Sequence, residues 1–423
     1  MSIKAVVKAV KGTRDLLPPS IHVWNHVEAV SRGIFSAYNF QEIRTPIFEE
    51  TALFARGVGA ETDIVTKEMY SFEDRDGSSL TLRPENTASV IRAYIEHRLD
   101  QIPGLQKLFY IGPMFRRERP QKGRYRQFSQ IGAEVIGSES PSVDAEVIEM
   151  VCGLLDACGV TGYKLMINSV GTQASRPAFV EAIRRQLEPV KELLSIDSQR
   201  RLETNPLRIL DSKAAEDQSY IEALPSIHEY LDEDSRTHFA RVREYLDDRG
   251  IGYTVTPRMV RGLDYYTRTT FEIVHEGALG SQNSVLGGGR YDGLAESLGS
   301  RVAAPGIGFS IGEDRLVMTV EEGQPGKFGH VLDLFIAPLD ETSFRHVSLI
   351  ARELRGDGIV VELAAAGKVK RSMELASKLG ARFALLVGED EVAKGQYSLK
   401  NLETGEQISV PREDLKKHIC QKV

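Results

Sequence analysis

The sequence predicts an α/β protein in two parts: residues 1–325, in which strands and helices enclose a helical insertion, and residues 331–423, a compact α/β domain. Three patterns predict it. Strand-like runs recur up to about residue 170 and again from 253, while the stretch between, roughly 172–250, is polar and helix-rich with few strand signals. Residues 321–330, Glu-Glu-Gly-Gln-Pro-Gly-Lys-Phe-Gly-His, read as an interdomain linker. Beyond them, strand and helix patterns alternate over about 90 residues, the size of a small domain.

Taken in order, Pro18-Pro19-Ser20 opens a helix whose apolar residues Ile21, Trp24, Val27, Val30 and Ile34 recur every three to four positions. Glu42 to Phe48 reads as a strand. Pro46 within it cannot donate to a ladder, which places that strand at an edge or an irregular junction. Met69–Phe72 and Leu80–Arg83 flank Asp76-Gly77, a hairpin turn signal. Helices at about 87–99 and 142–158 alternate with strands near 107–116, 125–137 and 163–170. After the insertion, strands are expected at Tyr253–Val260, Thr269–His275, Ser284–Gly288 and Gly306–Ile311, the last leading into a helix from Glu313. The C-terminal part reads as strand Val331–Ala337, helix Ser343–Arg355, strand Ile359–Leu363, helix Val369–Leu379 and strand Phe383–Val387, then two more strands and a short helix.

At 423 residues the chain has length for two or three domains with ample cores. No apolar run is long enough to span a bilayer as a helix. The opening residues, broken by Lys4 and Lys8, are not followed by the cleavage pattern of a secretory leader. Cys152, Cys158 and Cys420 lack Cys-x-x-Cys spacing, so neither a disulfide framework nor a zinc site is expected, and buried thiols in a reducing cytoplasm are the default. A net charge of −7 argues against non-specific coating of nucleic acid; an RNA partner has to be met by local basic surfaces.

One such surface is plain. Between Arg116 and Arg126, five arginines and one lysine stand against a single glutamate, a local charge of +5. Leu108, Phe109 and Ile111 before it, and Phe128, Ile131 and Val135 after it, read as two strands joined by this loop. Planar guanidinium groups grip phosphate oxygens two at a time, so the loop is suited to handling phosphate, although an arbitrary arginine-rich hairpin tip is more often merely solvated.

Three further segments hold candidate chemistry. Thr81-Leu-Arg-Pro-Glu-Asn-Thr87 sets donors and acceptors at a strand-to-helix junction, Arg261-Gly-Leu-Asp-Tyr-Tyr266 packs an arginine, a carboxylate and two phenols together, and Gly287-Gly-Gly-Arg-Tyr-Asp-Gly293 lets backbone approach a ligand closely. Each is weak alone: a glycine run is more often a tight turn, and Tyr-Tyr more often a half-buried strand. With Lys11-Gly-Thr-Arg-Asp-Leu-Leu-Pro18 and Gly306-Ile-Gly-Phe-Ser-Ile-Gly-Glu-Asp-Arg315, their order resembles the histidyl-tRNA synthetase family over essentially the whole chain. In that resemblance the basic loop and its strands look like class II motif 2, Gly306–Arg315 like motif 3 and the segment around Pro46 like motif 1. Arg261–Tyr266 and Gly288–Gly293 look like the two histidine-specific signatures. The class I signatures, His-x-Gly-His and Lys-Met-Ser-Lys-Ser, are absent. Two departures stand out: Gly287 extends the glycine signature by one, and Asn86 sits where glycine is common. Neither removes a ligand that the resemblance implies.

The resemblance implies a class II synthetase fold: a mixed, mainly antiparallel sheet flanked by helices, a helical insertion and a C-terminal anticodon-binding domain. It implies activation of L-histidine with ATP, then transfer of the histidyl group to the 3′ end of tRNA(His), with Mg²⁺ bridging the outer phosphates of ATP rather than sitting in a fixed protein site. Such chemistry needs alignment and charge neutralisation more than covalent help. By motif match Arg116 holds the α-phosphate and the adjoining carboxylate, Arg315 the far end of the triphosphate, and Arg261 the α-phosphate from the other side. Glu118 and Arg124 complete the ATP set. Glu85 and Thr87 fall on the amine of histidine, Gln130 near its carboxylate, Glu134 and Tyr266 on its imidazole, with Tyr265 and Tyr291 lining the pocket. A carboxylate can accept from one ring N–H and a phenol can serve the other nitrogen. A site so built rejects side chains that leave its polar groups unpaired by ~10⁴–10⁵-fold, and the sequence has no obvious editing domain. The plainer reading of Glu134 is a strand carboxylate paired with a nearby arginine.

For tRNA, the resemblance puts Arg119, Gln121 and Arg124 at the acceptor end, where the family's tRNA carries an extra 5′ guanosine. It puts Lys368, Lys370, Arg371 and Lys378 on a helix of the anticodon domain, suited to contacts that position without specifying, and the insertion against the acceptor stem. A solvated helix face accounts equally well for those four basic residues. The helix after Ser20 and the Pro46 segment are expected to form a symmetric homodimer interface. Two rivals are disfavoured, the first by the presence of residues 331–423 and of Arg116, Arg261 and Arg315, the second by the two histidine signatures. One is the regulatory subunit of ATP phosphoribosyltransferase, which shares the catalytic fold but lacks the C-terminal domain and several active-site residues. The other is a class II synthetase for a different amino acid.

Overall fold

The computed structural model describes residues 7–277, 283–329 and 331–420. The chain divides into two compact units, Met1–Phe328 and Gly329–Val423. In the first unit the order is helix α1 (Ile21–Ala37), strands β1 (Gln41–Glu42) and β2 (Phe48–Glu50), helix α2 (Thr51–Val58), strands β3 (Tyr70–Glu73) and β4 (Ser79–Leu82), helix α3 (Thr87–Glu96), strands β5 (Gln106–Phe115) and β6 (Gln127–Ile136), helix α4 (Pro141–Ala157) and strand β7 (Tyr163–Ser169). Helices α5 (Arg176–Leu187), α6 (Ile196–Thr204), α7 (Ala215–Ala223) and α8 (Glu233–Asp248) follow. Strands β8 (Thr254–Val255), β9 (Thr267–His275) and β10 (Ser284–Arg290), helix α9 (Leu294–Ser297), strand β11 (Gly306–Gly312) and helix α10 (Glu313–Gly323) complete it.

Eight strands form one sheet in the order β1-β5-β6-β11-β10-β9-β7-β8. Its inner pairs are antiparallel, and only the edge pairs β1–β5 and β7–β8 are parallel. The strand expected over Glu42–Phe48 is broken in two. β1 edges the large sheet, while β2 pairs with β4 in a separate three-stranded sheet that also holds β3. Between them, Arg83 donates to the main-chain oxygen of Thr45 at 3.1 Å, standing in for ladder partners that the chain cannot find around Pro46. The strand expected over Tyr253–Val260 is likewise reduced to β8.

Alternation along β6 divides the sheet into two faces. Ile131, Ala133 and Val135 join a core with Val27 and Phe35 of α1, Val147 and Val151 of α4 and Leu316 of α10. Gln130, Gly132 and Glu134, one residue out of phase, belong to the opposite face. Phe239, Val242 and Leu246 of α8 enter the same core as α4, so α8 is part of the main body and the inserted portion ends before it. The remaining insertion residues, among them Phe179, Ile183, Leu202 and Ile209, share a core with Tyr110, Tyr266 and Tyr291 on the other face. Capping fixes the entry of the long helices. Ser140 and Pro141 open α4, and Asp232 accepts from the Ser235 N–H at 2.7 Å to open α8. Residues 321–323, read as linker, extend α10 instead.

The second unit has strand β12 (Leu332–Pro338), helix α11 (Glu341–Gly356), strand β13 (Val361–Leu363), helix α12 (Val369–Lys378), strand β14 (Ala381–Val387), helix α13 (Glu389–Lys394), strands β15 (Gln396–Asn401) and β16 (Gln407–Pro411) and helix α14 (Leu415–Cys420). Its sheet order is β13-β12-β14-β15-β16, parallel across the first three strands and antiparallel beyond. Leu334 and Ile336 pack with α11 and α14, and Phe335 and Ala337 pack with α12, so the sheet is covered on both faces.

Candidate active site

The β5–β6 hairpin carries the basic loop, and the segment before β9 and the first turn of α10, after β11, bring two more arginines towards it. A cleft of about 420 Å³ results, lined by Arg116, Glu118, Arg124, Gln130, Arg261, Tyr266, Glu272, Asp314 and Arg315 among others. The three arginines assigned to phosphate thus face one cavity. Arg116 is tied by its Nε to the Pro84 carbonyl at 2.8 Å and lies over the Phe128 ring at 5.2 Å, which orients the guanidinium plane. Arg315 donates to the Ser284 carbonyl at 2.6 Å, and burial together with neighbouring Arg124 and Arg116 pulls its pKa below the usual arginine range. Arg261 pairs with Glu272 at 2.9 Å, while its Nε is buried without a partner. Gly287 explains itself here: a Cβ at that position would lie 1.7 Å from Arg261 Nη2, so only glycine leaves room for the guanidinium.

Glu85, Thr87, Glu134, Tyr265 and Tyr291 do not line this open cleft. They form a buried cluster around β6 and the N-terminus of α3, to which Tyr266 is the neighbour shared with the cleft. Glu134 is fully buried and accepts from Thr87 Oγ1 and Tyr291 OH, both at 2.7 Å, and more weakly from Tyr110 OH at 3.4 Å. Among the described residues its partners are hydroxyls and no arginine pairs with it, unlike the plainer reading from sequence. Burial pushes its pKa up to about 8, against the lowering effect of those hydroxyl donors. Glu85 accepts from the N–H groups of Thr87 at 2.8 Å and Ala88 at 3.0 Å, capping α3; its carboxyl is nevertheless raised by burial. Tyr265 stacks obliquely on Tyr266, with centroids 4.8 Å apart, and meets Tyr291 edge-on at 5.9 Å. Gly308, opposite Glu134 on β11, is again dictated by space, since its Cβ would fall 1.7 Å from Glu134 Oε2.

Several participants escaped the sequence reading. Tyr110 supports Glu134 from β5, Glu272 balances Arg261 from β9, and Asp211 and Lys213 of the insertion reach the cleft wall. Only alternation on a half-buried strand could have flagged Tyr110 and Glu272, and that does not separate them from ordinary strand residues. Arg14 donates to Tyr125 OH and Asp314 Oδ1, both at 2.7 Å, which docks the Lys11–Pro18 segment against the basic loop. Asn86 accepts from Thr45 Oγ1 at 2.6 Å and so braces the same junction as Arg83. Within the glycine signature, Arg290 is a buried strut that donates to Asp144 at 2.8 Å and Asp292 at 2.7 Å and does not line the cleft.

The loop tip splits its residues. Arg124 turns towards the cleft and pairs with Glu118 at 2.9 Å, whereas Arg119 and Gln121 are exposed on the outer side. In the second unit Lys368, Lys370, Arg371 and Lys378 are all exposed. Among the described residues, no three His, Cys, Asp or Glu side chains converge to hold a metal ion, and no helix is long and apolar enough to cross a membrane.

An antiparallel sheet bearing arginines over a nucleotide-sized cleft, with a separate α/β unit after it, is the architecture of a class II aminoacyl-tRNA synthetase. The family model described as histidyl-tRNA synthetase matches residues 12–316, and the anticodon binding domain model matches residues 333–422. The histidine–tRNA ligase of Solibacter usitatus is 68% identical over 410 residues, spanning 97% of this chain and 98% of that protein. That of Koribacter versatilis is 57% identical over 422 residues, 97% of this chain and 95% of the relative. The crystal structure of apo histidyl-tRNA synthetase from S. aureus superposes with a TM-score of 0.82 at 39% identity, covering 98% of this chain and 100% of the other. The chain belongs to the histidyl-tRNA synthetase family.

Proposed function

We propose that the cleft holds ATP and the buried cluster beside it holds histidine, so that the chain joins them as histidyl-adenylate and passes the histidyl group to tRNA(His). The observation that carries this reading is an electrostatic imbalance. Two buried carboxyls, Glu85 and Glu134, have hydroxyl and N–H donors but, among the described residues, no cationic side chain bonded to them, while the adjoining cleft is rich in guanidinium groups. A ligand with a cationic amine and a ring N–H suits the first region, and one with phosphates suits the second.

In the first step a carboxylate oxygen of histidine attacks the α-phosphorus and the bond to pyrophosphate breaks. Arg116 and Arg261, on opposite walls, draw charge off the α-phosphate, and Arg315 steadies the departing end with Arg124 and Glu118 at the edge. Gln130, whose Oε1 is buried and unpartnered, is placed to orient the amino acid near its carboxylate. In the second step the 3′-terminal ribose hydroxyl attacks the carbonyl carbon and AMP departs. Magnesium would enter with the nucleotide as MgATP and would supply charge neutralisation on its phosphates. The regulatory-subunit alternative is disfavoured, because the three cleft arginines stand together and the second unit is present.

The anticodon unit has a basic entry to α12: Lys368 stands at its N-cap position without a side-chain cap bond, and Lys370 and Arg371 lie in its first turn, where positive charge opposes the helix dipole. Such placement is unfavourable locally and suits a phosphate ligand. Lys370→Glu combined with Arg371→Glu is expected to lower kcat/KM for charging tRNA about tenfold or more, with ATP–pyrophosphate exchange unchanged. Equal loss in both assays, or none in charging, would refute the assignment.

The functional unit is proposed to be a homodimer in the cytoplasm. Ile47, Phe48 and Phe72 are 45%, 53% and 47% exposed around the Pro46 junction, more apolar surface than an isolated edge needs. Light scattering should give twice the chain mass; a stable, active monomer contradicts this.

A further inference from the structure

The segment 261–266 carries Arg261 for phosphate and Tyr265 and Tyr266 for the histidine pocket, yet it is neither helix nor strand. Among the described residues, a single main-chain hydrogen bond holds it, from the Asp264 N–H to Val58 O at 3.2 Å. Beyond the Arg261–Glu272 pair and the packing of Tyr265 on Tyr291, its anchors are side chains of the insertion. Arg208 donates to the Arg261 carbonyl at 2.9 Å and is itself steadied by Asp211 at 3.3 Å. Asn205 donates to Asp264 Oδ1 at 3.0 Å. Arg176 donates to the carbonyls of Asp264, at 3.4 Å, and Tyr266. Gly59 makes room for this arrangement: its φ is +106°, and a Cβ there would sit 2.6 Å from Asp264 Oδ2.

We propose that Arg208, with Asn205 and Arg176, positions the 261–266 segment, so that the insertion sets the geometry of adenylate formation even when no tRNA is bound. The three donors grip the segment at its start, middle and end. A loop with one main-chain tether has several accessible conformations, and each external bond removes some of them. Arg208 acts on the residue whose guanidinium faces the α-phosphate, and a displacement of about 1 Å there is enough to cost on the order of 10²-fold in rate. The proposal rests on the assignment of Arg261 to the α-phosphate.

A double-mutant cycle in tRNA-free ATP–pyrophosphate exchange tests it. Arg208→Ala alone is expected to lower kcat about 10–100-fold, while the KM for ATP moves less than about threefold. Added to Arg261→Ala, it is expected to cause no further loss, because the residue it positions is gone. Arg208→Lys, which keeps a donor and the charge beside Asp211, should recover part of the rate; it replaces the alanine variant in the cycle if that variant melts early. Asn205→Ala should act mainly on the KM for histidine, through the tyrosines. An equal fractional loss on adding Arg208→Ala to parent and to Arg261→Ala would overturn the positioning role while leaving Arg261 in place. Full exchange activity in Arg261→Ala alone would overturn both.

Discussion

Replacing Arg261 with alanine is expected to slow histidyl-adenylate formation by about 10³-fold or more, the scale seen when a preorganised charge donor is taken from a transition state. Among the described residues the guanidinium has one ion-pair partner, Glu272, and the space it fills exists because residue 287 lacks a side chain. It is therefore committed to the cleft rather than to the core. After the change Glu272, which is partly exposed at 17%, can take up water, so the melting temperature should move by only a few degrees. Pyrophosphate exchange and thermal unfolding on the same preparation measure both effects. Unchanged exchange, or collapse of the fold, would contradict the role.

Glu134→Gln should raise the KM for histidine about 100-fold while that for ATP changes little, because the acid is buried among hydroxyl donors and lies outside the arginine-lined cleft proposed for ATP. The same substitution should stabilise the unliganded protein at alkaline pH. Burial raises the Glu134 carboxyl to about 8 in the folded chain, whereas an unfolded glutamate releases its proton near about 4.3. Between those values the folded state holds the extra proton, so the parent loses stability as pH rises through the window. Glutamine has no proton to lose. The variant should melt at or below the parent near pH 5 and above it at pH 8.5, by on the order of 1–3 kcal/mol. A difference that does not vary with pH, or equal effects on both KM values, would count against this account of the pocket.

Much of the frame is visible in the chain because it is encoded locally. Asp76-Gly77 announces the β3–β4 turn, alternation on β5 and β6 marks the hairpin under the basic loop, and the entry to α1 follows from Pro18-Pro19-Ser20. What fails is what depends on distant partners. Pro46 signals an irregular strand, but the switch of β2 into a second sheet depends on Arg83, thirty-seven residues on, supplying donors to that stretch. Helix α8 has the same polar, amphipathic pattern as its neighbours in the insertion, and only the packing of Phe239 and Val242 against α4 shows that it belongs elsewhere. The site divides in the same way. Arg116, Arg261 and Arg315 are found through segments whose composition is unusual for surface loops. Tyr110, Glu272 and Arg208 sit in ordinary surroundings and acquire their roles from what the fold brings beside them. Gly287, a departure in the motif, becomes intelligible only once Arg261 is seen to occupy its missing side chain.

The most direct measurement is ATP–pyrophosphate exchange with the purified protein against each of the twenty amino acids in turn, without tRNA. A pocket built from Glu85, Glu134 and three tyrosines beside a cleft lined by Arg116, Arg261 and Arg315 predicts exchange with histidine alone, lost in Arg261→Ala. Exchange driven by a different amino acid, or no exchange with histidine, would contradict it.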